Sequence, residues 1–204
     1  MVDDGIFHGG DEFNNSLVVL CFARGTLIET PEGPRFIETL KQGDLVNTLD
    51  TGAQRIRWVS SQQMLGTGRN APVRIRAGAL GNIRDLWVSQ NHRILVRDHV
   101  AELLFGEQEV LTAAKFLVNG KDIEIVPQEK VEYFHFLFDE HQVVFAEGIP
   151  AESLYPGTEA RSGLDDTECD EILAHCPHLI EPDNTPTIAR YPLTRYEAEL
   201  LTAA

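Results

Sequence analysis

Leu17-Val18-Val19-Leu20-Cys21-Phe22-Ala23-Arg24-Gly25-Thr26-Leu27-Ile28 is an apolar run that meets a cysteine, breaks at Arg-Gly and then resumes. Short β-branched and aromatic runs bounded by glycine read as strand. Residues 17–30 are therefore expected to form an extended stretch interrupted at Arg24-Gly25. Downstream, Gly43-Asp44 and Asp50-Thr51-Gly52 mark turns between further short apolar pieces. Ile56 and Trp58 alternate with arginines, and Val73-Arg-Ile-Arg alternates again, the period of half-buried strands. Val131 to Phe138 is a strongly aromatic strand whose faces read Val131, Tyr133, His135, Leu137 and Glu132, Phe134, Phe136, Phe138. Many short strands with turn signals every eight to twelve residues indicate an all-β domain.

Upstream, residues 1–16 are polar and rich in Gly, Asn and Asp, which reads as a flexible arm. Thr112 to Val118 reads as one or two helical turns before Asn119-Gly120. After Pro156-Gly157 the composition changes. Leu164 to Cys176 reads as a helix with Asp165 or Asp166 as N-cap and Pro177 as its stop, and a second helix runs from about Thr194 to Leu201. Residues 158–204 are thus expected to be a short helical appendage on a β-domain of residues 17–157.

The chain has 204 residues and a formal net charge of −15, from 17 basic and 32 acidic residues. Such an excess repels phosphate backbones and anionic lipid, so nucleic-acid binding is disfavoured. No apolar run approaches membrane-spanning length, and no basic-apolar-small triplet of an export signal opens the chain. That pattern is compatible with the C-terminal part of a longer exported polypeptide, and the compartment and oligomeric state are left open. Cys21, Cys169 and Cys176 are too few for a disulfide scaffold. In one helix, Cys169 and Cys176 would have Cα atoms about 10 Å apart, beyond disulfide reach, so three thiols are expected. Cys169, His175, Cys176 and His178 offer zinc donors at a spacing that fits no strong zinc pattern. No metal or other cofactor is expected.

The residues around Cys21 resemble the first block of the Hint superfamily, the self-processing domains shared by Hedgehog C-terminal regions, inteins and bacterial intein-like proteins. Cys21-Phe22 is followed by Gly25-Thr26, Thr30-Pro31-Glu32-Gly33, Ile37-Glu38, Leu40, Gly43-Asp44 and Val46. Val88-Ser89-Gln90-Asn91-His92-Arg93-Ile94-Leu95 is similar to the second block, whose pattern is Thr-x-x-His. Tyr133 to Gly148, with His141 and the phrase Phe145-Ala146-Glu147-Gly148, is similar to the closing block of the bacterial branch. Three ordered blocks across residues 21–157 are far more specific than any one of them. The resemblance implies a curved, pseudo-twofold β-fold, although no internal duplication is visible in the residues.

It also implies a chemistry. The Cys21 thiol attacks the carbonyl of Leu20, exchanging the Leu20–Cys21 amide for a thioester. His92 stands where the family has the acid that protonates the departing nitrogen, and Ser89 stands at the Thr position, keeping the hydroxyl without the methyl. His141 matches a closing-block histidine and is carried as a secondary site residue, and Asn91 is a candidate for oxyanion support. His135 reads as packing inside an aromatic strand, and Asp44 as structural. Two departures narrow the outcome. Gly148 is followed by Ile149-Pro150-Ala151-Glu152-Ser153 with no Asn to cyclise, which argues against splicing. The stretch Arg57 to Ser61 holds no Asp to activate a sterol. The substrate implied is the chain's own upstream polypeptide, with water or a small external nucleophile resolving the thioester. The competing classes are an inactive Hint-fold structural or interaction module and a conventional cysteine hydrolase acting in trans, whose usual signatures around the Cys are missing.

Overall fold

A computed structural model describes residues 20–154, 166–175 and 187–203. The expected arm at 1–16 and the Cys176–His178 part of the possible zinc cluster lie outside the described residues. Cys21 and Cys169 are thiols rather than disulfide halves.

The opening stretch splits as its glycine dictates. β1 is Phe22–Ala23 and β2 is Leu27–Ile28, with Gly25 between them at φ +86. The following strands are β3 (Arg35–Phe36), β4 (Leu45–Thr48), β5 (Gly52–Arg55), β6 (Trp58–Gly66), β7 (Val73–Ile75) and β8 (Leu86–Val88). Next come β9 (Arg93–Arg97), helix α1 (His99–Phe105), β10 (Glu109–Ala113), β11 (Ile123–Ile125) and β12 (Gln128–Leu137). β13 (Val143–Ala146) and β14 (Ile149–Glu152) close the β-domain. Helix α2 (Asp166–His175), β15 (Tyr191–Pro192) and helix α3 (Arg195–Ala203) follow.

Two sheets carry these strands. One runs β11-β7-β8-β1-β12-β6, and the other runs β15-β10-β9-β14-β13-β2-β3, with β4 joining β13 to β5. The all-β class expected from the turn spacing is the class observed. The alternation along β12 decides how the core divides. Phe134, Phe136 and Phe138 enter the main core with Phe22, Ile28, Val88 and Ile94. Val131, Tyr133 and Leu137 enter a second cluster with Leu20, Cys21, Ala23, Trp58 and Leu154. Full burial of one such side chain stabilises by about 1.5–3 kcal/mol. Phe22, 2% exposed, anchors the strand that follows the cysteine.

The phrase Phe145-Ala146-Glu147-Gly148 proves to be a two-residue hairpin between β13 and β14. Glu147 and Gly148 have φ of +49 and +85, and Ala146 pairs with Ile149. Positive φ at both turn residues is the backbone whose twist matches that of the flanking strands. A Cβ at Gly148 would meet the Ile83 side chain at 3.1 Å. Glu147 tolerates its strained backbone because its carboxylate, 3% exposed, accepts the Leu27 N–H at 2.8 Å, while its own N–H donates to the Leu27 carbonyl at 2.9 Å.

One expectation is corrected here. Thr112 and Ala113 are not helical: they extend β10, pairing with Ile94 and Arg93 of β9, and only a tight turn at Ala114–Phe116 follows. The helix lies earlier, as α1, where Asp98 accepts the Val100 N–H as N-cap and Gly106 ends it at φ +74. The helical tail packs on the β-domain. β15 adds to β10 in parallel, Leu193 and Leu201 are buried beside α1, and Ile172 of α2 is fully buried in the cluster that holds Leu20 and Cys21. Thr194 and Glu197 form a reciprocal cap at the start of α3. No helix among the described residues is long and apolar enough to cross a membrane.

Candidate active site

Register builds the site. β1 lies between β12 and β8, with Phe22 opposite both Phe134 and Val88 and Ala23 opposite Tyr133. One step back along each antiparallel pair, Cys21 falls opposite His135 on one side and Ser89 on the other. Residues directly opposite share a face of the sheet. The three side chains therefore converge although 114 and 68 residues separate the histidine and the serine from the cysteine.

The contacts follow from that placement. The Cys21 N–H, half of the Leu20–Cys21 peptide bond, donates to Ser89 Oγ at 3.0 Å. The Ser89 N–H donates to the Cys21 carbonyl at 2.9 Å, so both ends of the cysteine backbone are clamped to residue 89. The thiol lies 3.4 Å from His135 Nδ1. Burial, and secondarily the charge of Glu168, push the Cys21 thiol far up from its ordinary value. Donation from the protonated thiol to Nδ1 requires the imidazole proton on Nε2. Glu168 Oε1 of α2 lies 3.2 Å from that Nε2, though off the N–H axis, so the pair is an electrostatic contact without an aligned hydrogen bond. The Trp58 ring stacks on His135 at 5.1 Å and 22°, and Trp58 Nε1 donates to Glu171 Oε2 at 2.8 Å.

His92 occupies the other side of Ser89. Residues 89–92 form a turn closed by His92 N–H to the Ser89 carbonyl at 3.1 Å. Gln90 Nε2 fixes the turn to the carbonyls of Gly68 and Ala71 at 2.9 and 3.0 Å. The His92 ring is fully buried and leans on Phe22 at 4.2 Å, and neither ring nitrogen has a hydrogen-bond partner among the described residues. Burial, the largest cause, lowers its pKa to about 4; Arg93 and His141 lower it further, and Glu152 opposes them. A buried polar ring left without partners is unusual in a folded protein.

The remaining expected site residues fall elsewhere. His141 accepts the Ala189 N–H at Nδ1 (3.0 Å) and turns Nε2 toward Glu152 at 3.5 Å. Glu152, fully buried, also accepts the Arg93 N–H at 2.9 Å. His141 thus belongs to a buried polar cluster with Glu152, and the structure does not pair it with Cys21. Asn91 directs its side-chain oxygen to Lys115 Nζ at 2.7 Å. Asp44 accepts the Lys41 N–H and pairs with Arg35, a turn lock. His135 packs against the Trp58 ring, and it is also the side chain that touches the thiol. The one signal for it in the sequence was its place on the strand face shared with Tyr133 and Leu137.

A buried thiol set against its own backbone amide, with a hydroxyl on the amide nitrogen and an imidazole on the sulfur, sits in a fold of the autoprocessing type. The family model described as the Hint domain matches residues 20–158, about two-thirds of the chain. The chain belongs to the Hint domain family. Among solved structures it is similar to a bacterial intein-like domain from Clostridium thermocellum at 16% identity, with 65% of this chain and 97% of that one covered and a TM-score of 0.47. It is similar also to a DnaB intein from Synechocystis at 11% identity, with 65% and 97% covered and a TM-score of 0.44. No curated protein matches the chain.

Proposed function

We propose that this domain cleaves its own chain between Leu20 and Cys21 through a thioester, without splicing. The observation that carries the reading is the threefold hold on Cys21, with Ser89 on its amide nitrogen and carbonyl and His135 on its sulfur. The thiol proton passes to His135 Nδ1 as Sγ adds to the Leu20 carbonyl carbon. The C–N bond then breaks, and the nitrogen takes up a proton to become the Cys21 α-amine. Gain and loss of protons balance over the step. Water or a small external nucleophile next attacks the thioester, releasing residues 1–20 and regenerating the thiol.

His92 is the acid assigned to the departing nitrogen. With a pKa of about 4, loading its proton at pH 7 costs about 4 kcal/mol. An imidazolium held so weakly is correspondingly strong as an acid toward the amine that forms, and such catalysis is worth about 10²–10⁴-fold. Release of a downstream segment has no side chain to drive it, because the position after Gly148 continues into β14 and the buried Glu152. A second reading, a Hint-fold module without turnover, draws support from the burial of the thiol.

Intact mass followed over time decides between them. Loss of residues 1–20, accelerated by hydroxylamine and abolished in Cys21→Ala, is the expected result, with residues 21–204 in one piece. Unchanged fragment yield in Cys21→Ala, or a joined product of upstream and downstream segments, refutes the mechanism. A mass unchanged even in hydroxylamine selects the inactive module, and turnover of added esters selects a hydrolase acting in trans.

A further inference from the structure

The family match ends at residue 158, and α2 begins eight residues later, at Asp166. Yet one face of this helix is aimed at the cleavage site. Glu168, Glu171 and Ile172 stand at i, i+3 and i+4, the spacing that puts side chains on one helical face. Ile172 is fully buried in the cluster of Leu20, Cys21, Ala23, Trp58 and Tyr133. Glu171 accepts the Trp58 indole N–H at 2.8 Å, and the Trp58 ring stacks on His135. Glu168, one turn before Ile172, sets its carboxylate 3.2 Å from His135 Nε2. Its side chain is 13% exposed, so its charge acts at short range with little solvent to screen it.

We infer that α2 is a working part of the cleavage site: Glu168 is a positioning residue that keeps the His135 proton on Nε2 and Nδ1 open to the thiol, so that processing is conditional on this helix being docked. The inference rests on the autocleavage reading for its functional consequence, but the hold of Glu168 on His135 stands apart from it. The chemistry of the contact is asymmetric. The carboxylate works against a thiolate at Cys21, yet it lies closer to the imidazolium that forms when His135 takes the thiol proton. A negative charge behind the base therefore favours the proton-transferred pair over the starting pair with neutral imidazole. The other described neighbours of His135 are the Cys21 thiol, the Trp58 ring and Ser60, which stands opposite it on β6, none of which brings a formal charge to the starting state. Glu168 supplies the single negative charge that the described contacts place on this ring.

Full-length variants test it with two independent readouts. In the first, ring nitrogen chemical shifts of His135 report its tautomer. The parent is expected to show the proton on Nε2, and Glu168→Gln to move a substantial share of it to Nδ1. An unchanged tautomer in Glu168→Gln overturns the inference whether or not the chain cleaves. In the second, fragment yield by intact mass is expected to fall at least tenfold in Glu168→Gln, to recover in part in Glu168→Asp, and to fall comparably in Ile172→Asp, which undocks the helix. Glu171→Gln, which keeps an acceptor for Trp58, should stay within about threefold of the parent and thereby shows that a docked helix survives a charge change on the same face. If parent and variants alike give no fragment even in hydroxylamine, the autocleavage reading fails and the tautomer measurement still decides the role of Glu168. A parent that cleaves together with a Glu168→Gln that cleaves at the parent rate overturns the inference alone.

Discussion

Replacing His92 by Gln should make the protein markedly less sensitive to acid. His92 is fully buried with no ring partner among the described residues, and burial lowers its pKa from 6.5 to about 4. Between those values the unfolded chain binds a proton at this side chain that the folded chain refuses. Stability therefore rises with pH across the window and is lost as pH falls through it. A displacement of two and a half units at about 1.4 kcal/mol per unit amounts to roughly 3 kcal/mol. Most of that is lost between pH 6.5 and pH 4. Urea unfolding at steps from pH 7 to pH 4, with Cys21→Ala holding the chain in one covalent form, measures the slope. The Gln variant starts from a lower stability because it leaves an amide in the pocket, but the pH-dependent difference between the two curves isolates His92, since every other titrating group is common to both. The difference should grow to about 3 kcal/mol by pH 4. Parallel curves would refute the reasoning and place the imidazole in contact with solvent or with a partner that accepts its charge.

Two further outcomes are expected. Ser89→Ala removes the acceptor of the Cys21 N–H; losing one such bond, worth about 1–1.5 kcal/mol, should slow cleavage on the order of tenfold, while Ser89→Thr should stay close to the parent, both read by intact mass against time. Gly148→Ala forces a Cβ into φ +85 and against Ile83 at 3.1 Å; a stability loss of more than about 1 kcal/mol in urea is expected, and a neutral result would show that the hairpin relaxes to another turn.

The sequence by itself determined what depends on near neighbours along the chain. The break at Arg24-Gly25 and the alternation of β12 are set by side-chain period and by backbone freedom at a single residue, so they are visible in order of reading. Ser89 and His92 were singled out by the resemblance of Val88–Leu95 to the family's second block, and the structure holds them together in one turn. The family blocks around Cys21 carried the β-fold with them. His135 was not legible as a partner of the thiol, because only the pairing of β1 with β12 brings it there across 114 residues. A one-residue slip in that register would have turned His135 to the opposite face and put an aromatic residue at the sulfur. Glu168 was further out of reach. Its helix could be read from Leu164 to Cys176, but which face docks, and on what, is set by the buried cluster that receives Ile172 and by the Trp58 indole that meets Glu171. Most of that surface lies far from α2 in the chain, and it exists only once β1, β12 and β6 have paired.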